Sequence, residues 1–273
     1  MVLRLGTVPY LNALPLVDGL QDDARVSLEQ AVPSELAARL RAGALDAALV
    51  SAVELFRAPR LRYVPGPAIC SEGPVRSIRL FLRRPPERVR TLALDRSSLT
   101  AAVLAQLCLR EFLGAGPPAV SSAAPDAPLA SLDADAILRI GDPALATAPD
   151  GRQVLDLGEV WTAHTKLPFV YALWLVRPGV PEQPLTECLL AARDRGLARL
   201  PEIAREFAAR AGGSAPDAAG SLDYLQHAIT FDLGELQREG LAFFGWLAHR
   251  YGLVDSPLLP EPLGAATHPE AVR

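Results

Sequence analysis

The sequence predicts an α/β protein of two domains, with the chain crossing between them twice and ending in a helical segment. Three observations carry this. Short apolar runs alternate with longer helical patterns, as in parallel sheets covered by helices. Two long β-like segments, "VRSIRLFLRR" at 75–84 and "PFVYALWLVRP" at 168–178, flank a second strand–helix unit. After Pro181 the pattern is helical throughout. The division expected is an outer domain of residues 1–84 plus 173–273, an inserted domain of 85–172, and a ligand cleft between them.

The first strand is Leu3–Val8, and it runs into Pro9, Tyr10 and Asn12, with a second proline at Pro15. A plain strand-to-helix turn favours Gly, Ser or Asp instead. The turn is therefore expected to present the Asn12 carboxamide to a site. A helix follows in "PSELAARLRAGALDAALV", with Ser34 as its N-cap, Leu36, Ala37 and Leu40 on its buried face and Gly43 as its stop. "DAALV" at 46–50 is then a buried strand ending at Ser51. The second unit opens with the strand "TLALD" at 91–95 and a helix from about Ser98 to Leu113, closed by Gly114; "AILRIGD" at 136–142 is its next strand. Helices at "TECLLAARDRGLARL", "PEIAREFAARAG", "SLDYLQHAI" and "GELQREGLAFFGWLAHRYGL" follow, and the last 17 residues, rich in Pro and Ala, read as a loosely packed tail.

Composition excludes several classes. A net charge of −4 gives no electrostatic footprint for nucleic acid. Three widely spaced cysteines (Cys70, Cys108, Cys188) form neither a disulfide framework nor a zinc motif. His164, His227, His249 and His268 are scattered without metal-ligand spacing, so no metal site is expected. The longest apolar run, "FVYALWLV", is too short to cross a bilayer. Arg4, Pro9 and Asn12 interrupt any export signal, and a cytoplasmic location is expected.

What recurs is a hydroxyl, carboxamide or carboxylate at a strand end. Asn12, Ser51, Ser97, Ser98, Thr100 and Asp142 each follow a strand or open a helix, Ser71 and Ser77 bracket the "EGPVRS" stretch, and Thr165 precedes the strand at 168. Ligands of open α/β sheets bind at the carboxyl ends of strands, and helix N-termini favour anions. Together these positions point to an anionic ligand held by neutral donors rather than an arginine clamp. Asp142 and Glu54 are the carboxylates on offer as a base, and Asp142 reads equally well as a turn cap. His164, in "WTAHTKLPF", is a loop residue before a strand in this reading, and Trp161 beside it is one of few aromatics besides Tyr10 near the expected cleft.

The segments "VPYLNALPL", "AGALDAALVSAVEL", "SEGPVRSIRLFLR", "ALDRSSLTAAVLAQLCL", "ADAILRIGDPAL" and "LDLGEVWTAHTKLPFVYALW" resemble, in order, the motifs of the chorismate dehydratases of the futalosine route to menaquinone. The resemblance spans residue 3 to about 177. It implies a type II periplasmic-binding-protein-like fold and a hydro-lyase that converts chorismate, a small dicarboxylate, to 3-[(1-carboxyvinyl)oxy]benzoate without cofactor or metal. By resemblance Asn12 and Ser77 handle the reacting substrate and Ser51, Ser97 and Ser98 line the same cleft; Tyr10, Ser71, Thr100, Asp142 and Thr165, from their places along the chain, are expected to contribute to binding as well. Leu99 stands where the family often has Arg, and Lys166 where it often has Gly. The competing expectations are a carboxylate solute-binding protein without catalysis and the sister cyclic dehypoxanthinyl futalosine synthase, whose nucleoside substrate would want a longer stacking surface.

Overall fold

The computed structural model describes residues 2–58, 60–211 and 216–264. It contains strands β1 Leu3–Thr7, β2 Val26–Gln30, β3 Ala47–Ser51, β4 Arg62–Ser71, β5 Ile78–Leu82, β6 Thr91–Asp95, β7 Ala119–Ala123, β8 Ala136–Ile140, β9 Gln153–Asp156, β10 Phe169–Val176 and β11 Thr230–Asp232. Its helices are α1 Pro33–Arg41, α2 Glu54–Arg57, α3 Thr100–Leu107, α4 Gly141–Ala146, α5 Leu157–Thr165, α6 Glu182–Ala198, α7 Leu200–Ala211, α8 Ala218–His227 and α9 Glu235–Arg250. A 3-10 helix spans Leu11–Leu16.

The strands form two sheets, in the orders β11-β4-β10-β3-β1-β2 and β7-β6-β8-β5-β9. In the first, β1 runs parallel to β2 and β3, while β10 is antiparallel to β3 and β4. In the second, β6 is parallel to β7 and β8, and β5 is antiparallel to β8 and β9. All five residues of β3 are buried, as a central strand covered on both faces requires.

The chain does pass twice between the sheets, but at other places than the sequence suggests. Ile78–Leu82, expected in the outer unit of residues 1–84, pairs with β8 and β9 in the second sheet. Phe169–Val176 belongs to the first sheet from its first residue, where Phe169 pairs with Ser71, rather than from 173. The passages are thus residues 72–77 and 166–168. Alternating apolar residues show that a segment is a strand and say nothing about which sheet it joins.

Local differences have equally simple causes. Helix α1 starts two residues earlier than expected: Pro33 takes the first turn and Val32 the cap position, without a side-chain cap, so Ser34 lies inside the helix. The helix expected over 98–113 is α3 followed by a π-turn at Cys108–Phe112, and Gly114 follows with φ +71°. β11, three residues long, interrupts the helical C-terminal part and pairs with β4. Within the expected loose tail, Pro262 bridges to Tyr63 and Leu263 is buried; residues 265–273, including His268, lie outside the described residues.

Helix α6 packs on the 3-10 helix Leu11–Leu16 through Gly196, where an added Cβ would stand 2.0 Å from the Pro15 carbonyl oxygen. Backbone cannot yield as a side-chain tip can. Gly196→Ala is therefore expected to destabilise the fold by about 2 kcal/mol or more, with Tm lowered by roughly 5 °C. Thermal unfolding checks this, and an unchanged Tm would show that α6 is free to shift.

Candidate functional site

A cleft of about 600 Å³, part of it open to solvent, lies where the carboxyl ends of β1, β3 and β8 meet the passage 72–77 and the start of α3. Its polar lining comes from Tyr10, Asn12, Ser51, Ser77, Ser98, Thr100 and Tyr171. Among the described residues, no Lys, Arg, His, Asp or Glu lines it.

The Asn12 position follows from the turn after β1. Tyr10 is extended (φ −87°, ψ 152°), and the 3-10 helix then buries Leu11, Ala13, Pro15 and Leu16, leaving half-buried Asn12 as the polar residue beside the cleft. The Asn12 Nδ2 group donates to the Tyr224 hydroxyl at 3.2 Å, while its Oδ1 is buried without a partner. The Tyr10 ring packs against Gly141, where a Cβ would lie 3.4 Å from the ring and φ is +62°. Burial raises the Tyr10 phenol above its usual range, against a hydrogen bond with Ser97.

Ser77 is placed by the first passage. The carboxylate of Asp156, which caps α5 by accepting from the N–H groups of Gly158 and Glu159, also accepts from Val75 at 3.0 Å and Arg76 at 2.6 Å. Arg76 adopts φ +61°, the left-handed region that favours glycine, so Asp156 holds a strained turn in place. The Arg76 guanidinium also pairs with Asp223 at 2.5 Å, and the next residues along each segment, Ser77 and Tyr224, meet at 2.8 Å.

Ser98 and Thr100 sit at the start of α3. Thr100 Oγ1 accepts from the buried Val53 N–H at 3.1 Å, and Ser98 Oγ is buried without a partner among the described residues. The first N–H groups of α3 have no intrahelical acceptor.

Of the residues the sequence singled out, Tyr10, Asn12, Ser51, Ser77, Ser98 and Thr100 come together in this cleft. Ser71, Ser97 and Asp142 are not part of its lining. Ser71 Oγ bonds the Tyr171 hydroxyl at 2.9 Å, Ser97 Oγ donates to Asp95 at 2.6 Å, and Asp142 accepts from the Leu11 N–H at 3.4 Å. Thr165 stands apart: it ends α5, and its hydroxyl donates to the Trp161 carbonyl at 2.9 Å. His164 is on the same helix rather than in a loop, exposed, with Nδ1 2.8 Å from the Val160 oxygen and its ring stacked on Phe112. Trp161 belongs to the apolar core against Phe169 and Phe244. Glu54 is turned to Arg41 and Arg57, not to the cleft. Leu99 lines the cleft, and Lys166 caps α5 with φ +63°, a conformation that glycine, common there in the family it resembles, takes without strain.

Tyr171 and Tyr224 were not anticipated. Tyr171 lies in the quoted "LPFVYALW" block, where strand alternation was its only visible signal. Tyr224 lies in "SLDYLQHAI", a helix whose buried face looks like ordinary core.

A model of the menaquinone-biosynthesis family matches residues 3–250 of the chain. A chorismate dehydratase from Thermus thermophilus is 33% identical over 228 residues, which is 76% of this chain and 82% of the relative. Among solved structures, a protein of Archaeoglobus fulgidus superposes with a TM-score of 0.75 at 17% identity, covering 92% of this chain and 98% of that one. The alkanesulfonate-binding protein of Xanthomonas axonopodis pv. citri, solved with MOPS, gives 0.67 at 16% identity over 94% and 95% of the two chains. The chain belongs to the menaquinone-biosynthesis family, and its fold is that of the periplasmic binding proteins.

Asp142 generates a test of the electrostatics. Burial pushes its carboxyl up to about 6. A carboxyl raised in the folded state contributes stability below its unfolded value near 4, and that contribution is lost as pH rises through about 6. Asp142→Asn, neutral at every pH, should therefore stabilise the protein at pH 8 by on the order of 1–2 kcal/mol, after discounting for partial solvent exposure. The gain should vanish below about pH 4. Urea unfolding at pH 4, 6 and 8 measures it; a loss at pH 8 would contradict the assigned burial.

Proposed function

We propose that this member of the menaquinone-biosynthesis family is a chorismate dehydratase, removing water from chorismate to give 3-[(1-carboxyvinyl)oxy]benzoate. The observation that carries the reading is the neutral cleft, in which Asn12 Oδ1 and Ser98 Oγ are buried without partners among the described residues, beside Ser77 and the opening turn of α3. Buried polar atoms without partners are costly unless a ligand meets them. The dehydratase relative and the family match give the reading its substrate.

In this reaction the proton at C3, vinylogous to the ring carboxylate, and the hydroxide at C4 leave together as water, and aromatisation drives the step. The residues must hold two carboxylates and stabilise charge that flows into the ring carboxylate. Ser98 and the first N–H groups of α3 are suited to the second task, since preorganised neutral donors are worth about 3 kcal/mol each in comparable sites. Ser77 fixes a carboxylate, and Asn12 orients the enolpyruvyl side chain or the departing hydroxyl. Among the described residues, no side chain lining the cleft is a carboxylate, imidazole or amine. The base is then the substrate's own enolpyruvyl carboxylate, and positioning supplies much of the rate.

Purified protein mixed with chorismate should change the ultraviolet spectrum as the ring aromatises. Asn12→Ala should lower kcat/KM roughly a hundredfold or more, the scale of losing one preorganised contact. His164→Gln should change it by less than about fivefold between roughly pH 5.5 and 9, because its ring packs on Phe112 outside the cleft. Absence of turnover by the wild-type protein would leave a binding protein, and a dead His164→Gln enzyme would install a histidine base.

A further inference from the structure

We propose that Tyr224 is a positioning residue that sets which side of the cleft accepts a hydrogen bond and which side donates one; this rests on the dehydratase reading above. The Tyr224 side chain comes from α8, in the helical C-terminal part, and is 2% exposed. Its oxygen accepts from Asn12 Nδ2 at 3.2 Å, and its single proton goes to Ser77 Oγ at 2.8 Å.

The direction of that chain has consequences at both ends. Giving one of its two N–H groups to Tyr224 fixes which end of the Asn12 carboxamide carries the oxygen, and Asn12 Oδ1 is buried without a partner among the described residues. A serine hydroxyl that accepts from a phenol keeps its own proton free to donate. Asn12 thereby offers an acceptor and Ser77 a donor, fixed by one buried phenol between them. A molecule that carries a hydroxyl and a carboxylate on one rigid frame matches this pair, since the hydroxyl can donate to Asn12 and the carboxylate can accept from Ser77. A dicarboxylate without a hydroxyl would leave Asn12 Oδ1 unsatisfied.

Two features keep the phenol in this role. Burial holds it protonated, with its pKa raised. The Arg76–Asp223 ion pair anchors α8 to the strained turn one residue away from the Ser77–Tyr224 contact. The tyrosine touches the ligand through neither of its bonds; it acts by fixing Asn12 and Ser77.

Tyr224→Phe removes one oxygen and keeps the ring. It is expected to lower kcat on chorismate at least tenfold, with KM changed less than about threefold and Tm within a few degrees of wild type. Combined with Ser77→Ala, it should cost clearly less than Tyr224→Phe does in the wild type, because the Ser77 end of the chain is already lost and only the Asn12 end remains to be broken. Losses that multiply would overturn the proposal, as would a kcat within threefold of wild type. A second readout does not depend on turnover. In the ligand-free protein the Asn12 side-chain amide, identified in the ¹H–¹⁵N spectrum by its absence from Asn12→Ala, should shift in Tyr224→Phe. An unmoved amide overturns the relay. A shifted amide in a wild-type protein that does not turn over chorismate supports the relay and defeats the dehydratase reading instead.

Discussion

Both oxygens of Asp156 are committed to backbone N–H groups, and the placement of Ser77 in the cleft follows from that commitment. Oδ1 accepts from Val75, Gly158 and Glu159, and Oδ2 accepts from Arg76. One carboxylate thus ends β9, starts α5 and holds the passage by which the chain leaves the first sheet. Hydrogen bonds to a charged acceptor are worth about 1.5–3 kcal/mol each, more than the roughly 1 kcal/mol or so that a left-handed Arg76 costs. The strain survives because it is outweighed, and its effect is to turn Ser77 toward Asn12 and Tyr224. Tightness at this seam is general: a Cβ at Gly158 would stand 2.5 Å from the Gly73 oxygen and 2.6 Å from the Tyr171 hydroxyl.

A cleft lined by neutral groups suits the proposed reaction for a reason that goes beyond binding. Substrate and product are both dicarboxylates, so an arginine clamp would grip the two equally and mainly slow release. Donors fixed where charge grows in the transition state act at the step itself. The arginines among the described residues lie outside the cleft lining. Arg4 and Arg177 hold the buried Asp46, and Arg41 and Arg57 hold Glu54, each pairing away from the cleft. Those pairs tie strand and helix ends together and leave the ligand facing hydroxyls, a carboxamide and backbone.

The strand ends were legible in the sequence because two constraints coincide there: an apolar run shows where a strand ends, and the carboxyl end of a parallel strand is where a cleft opens. Tyr10, Asn12, Ser51, Ser98 and Thr100 are found that way. Thr165 failed the same rule because it closes a helix, and its hydroxyl serves the Trp161 carbonyl. Ser71 and Ser97 stand at true strand ends but are consumed by Tyr171 and Asp95, a partnering invisible without the fold. The sheet change was misplaced for a related reason. Ile78–Leu82 has the alternation of any strand, and only its pairing with β8 and β9 assigns it to the second sheet. Tyr224 was hidden most completely, since 147 residues separate it from Ser77.

That separation also changes what the C-terminal part of the chain is for. Its helical pattern reads as packing for the first sheet, and α7 and α8 do carry buried apolar faces. Yet α8 meets the passage 72–77 at two consecutive residues on each side, one pair charged and exposed, the other neutral and buried. The exposed Arg76–Asp223 pair, screened by water, contributes little energy but limits how α8 can turn. The buried Tyr224–Ser77 bond needs that restriction, because a phenol hydroxyl between two partners tolerates little displacement before one bond is lost. The site is therefore completed by a segment that supplies no group to the cleft surface, and the polarity of its first-strand turn is decided from the far end of the chain.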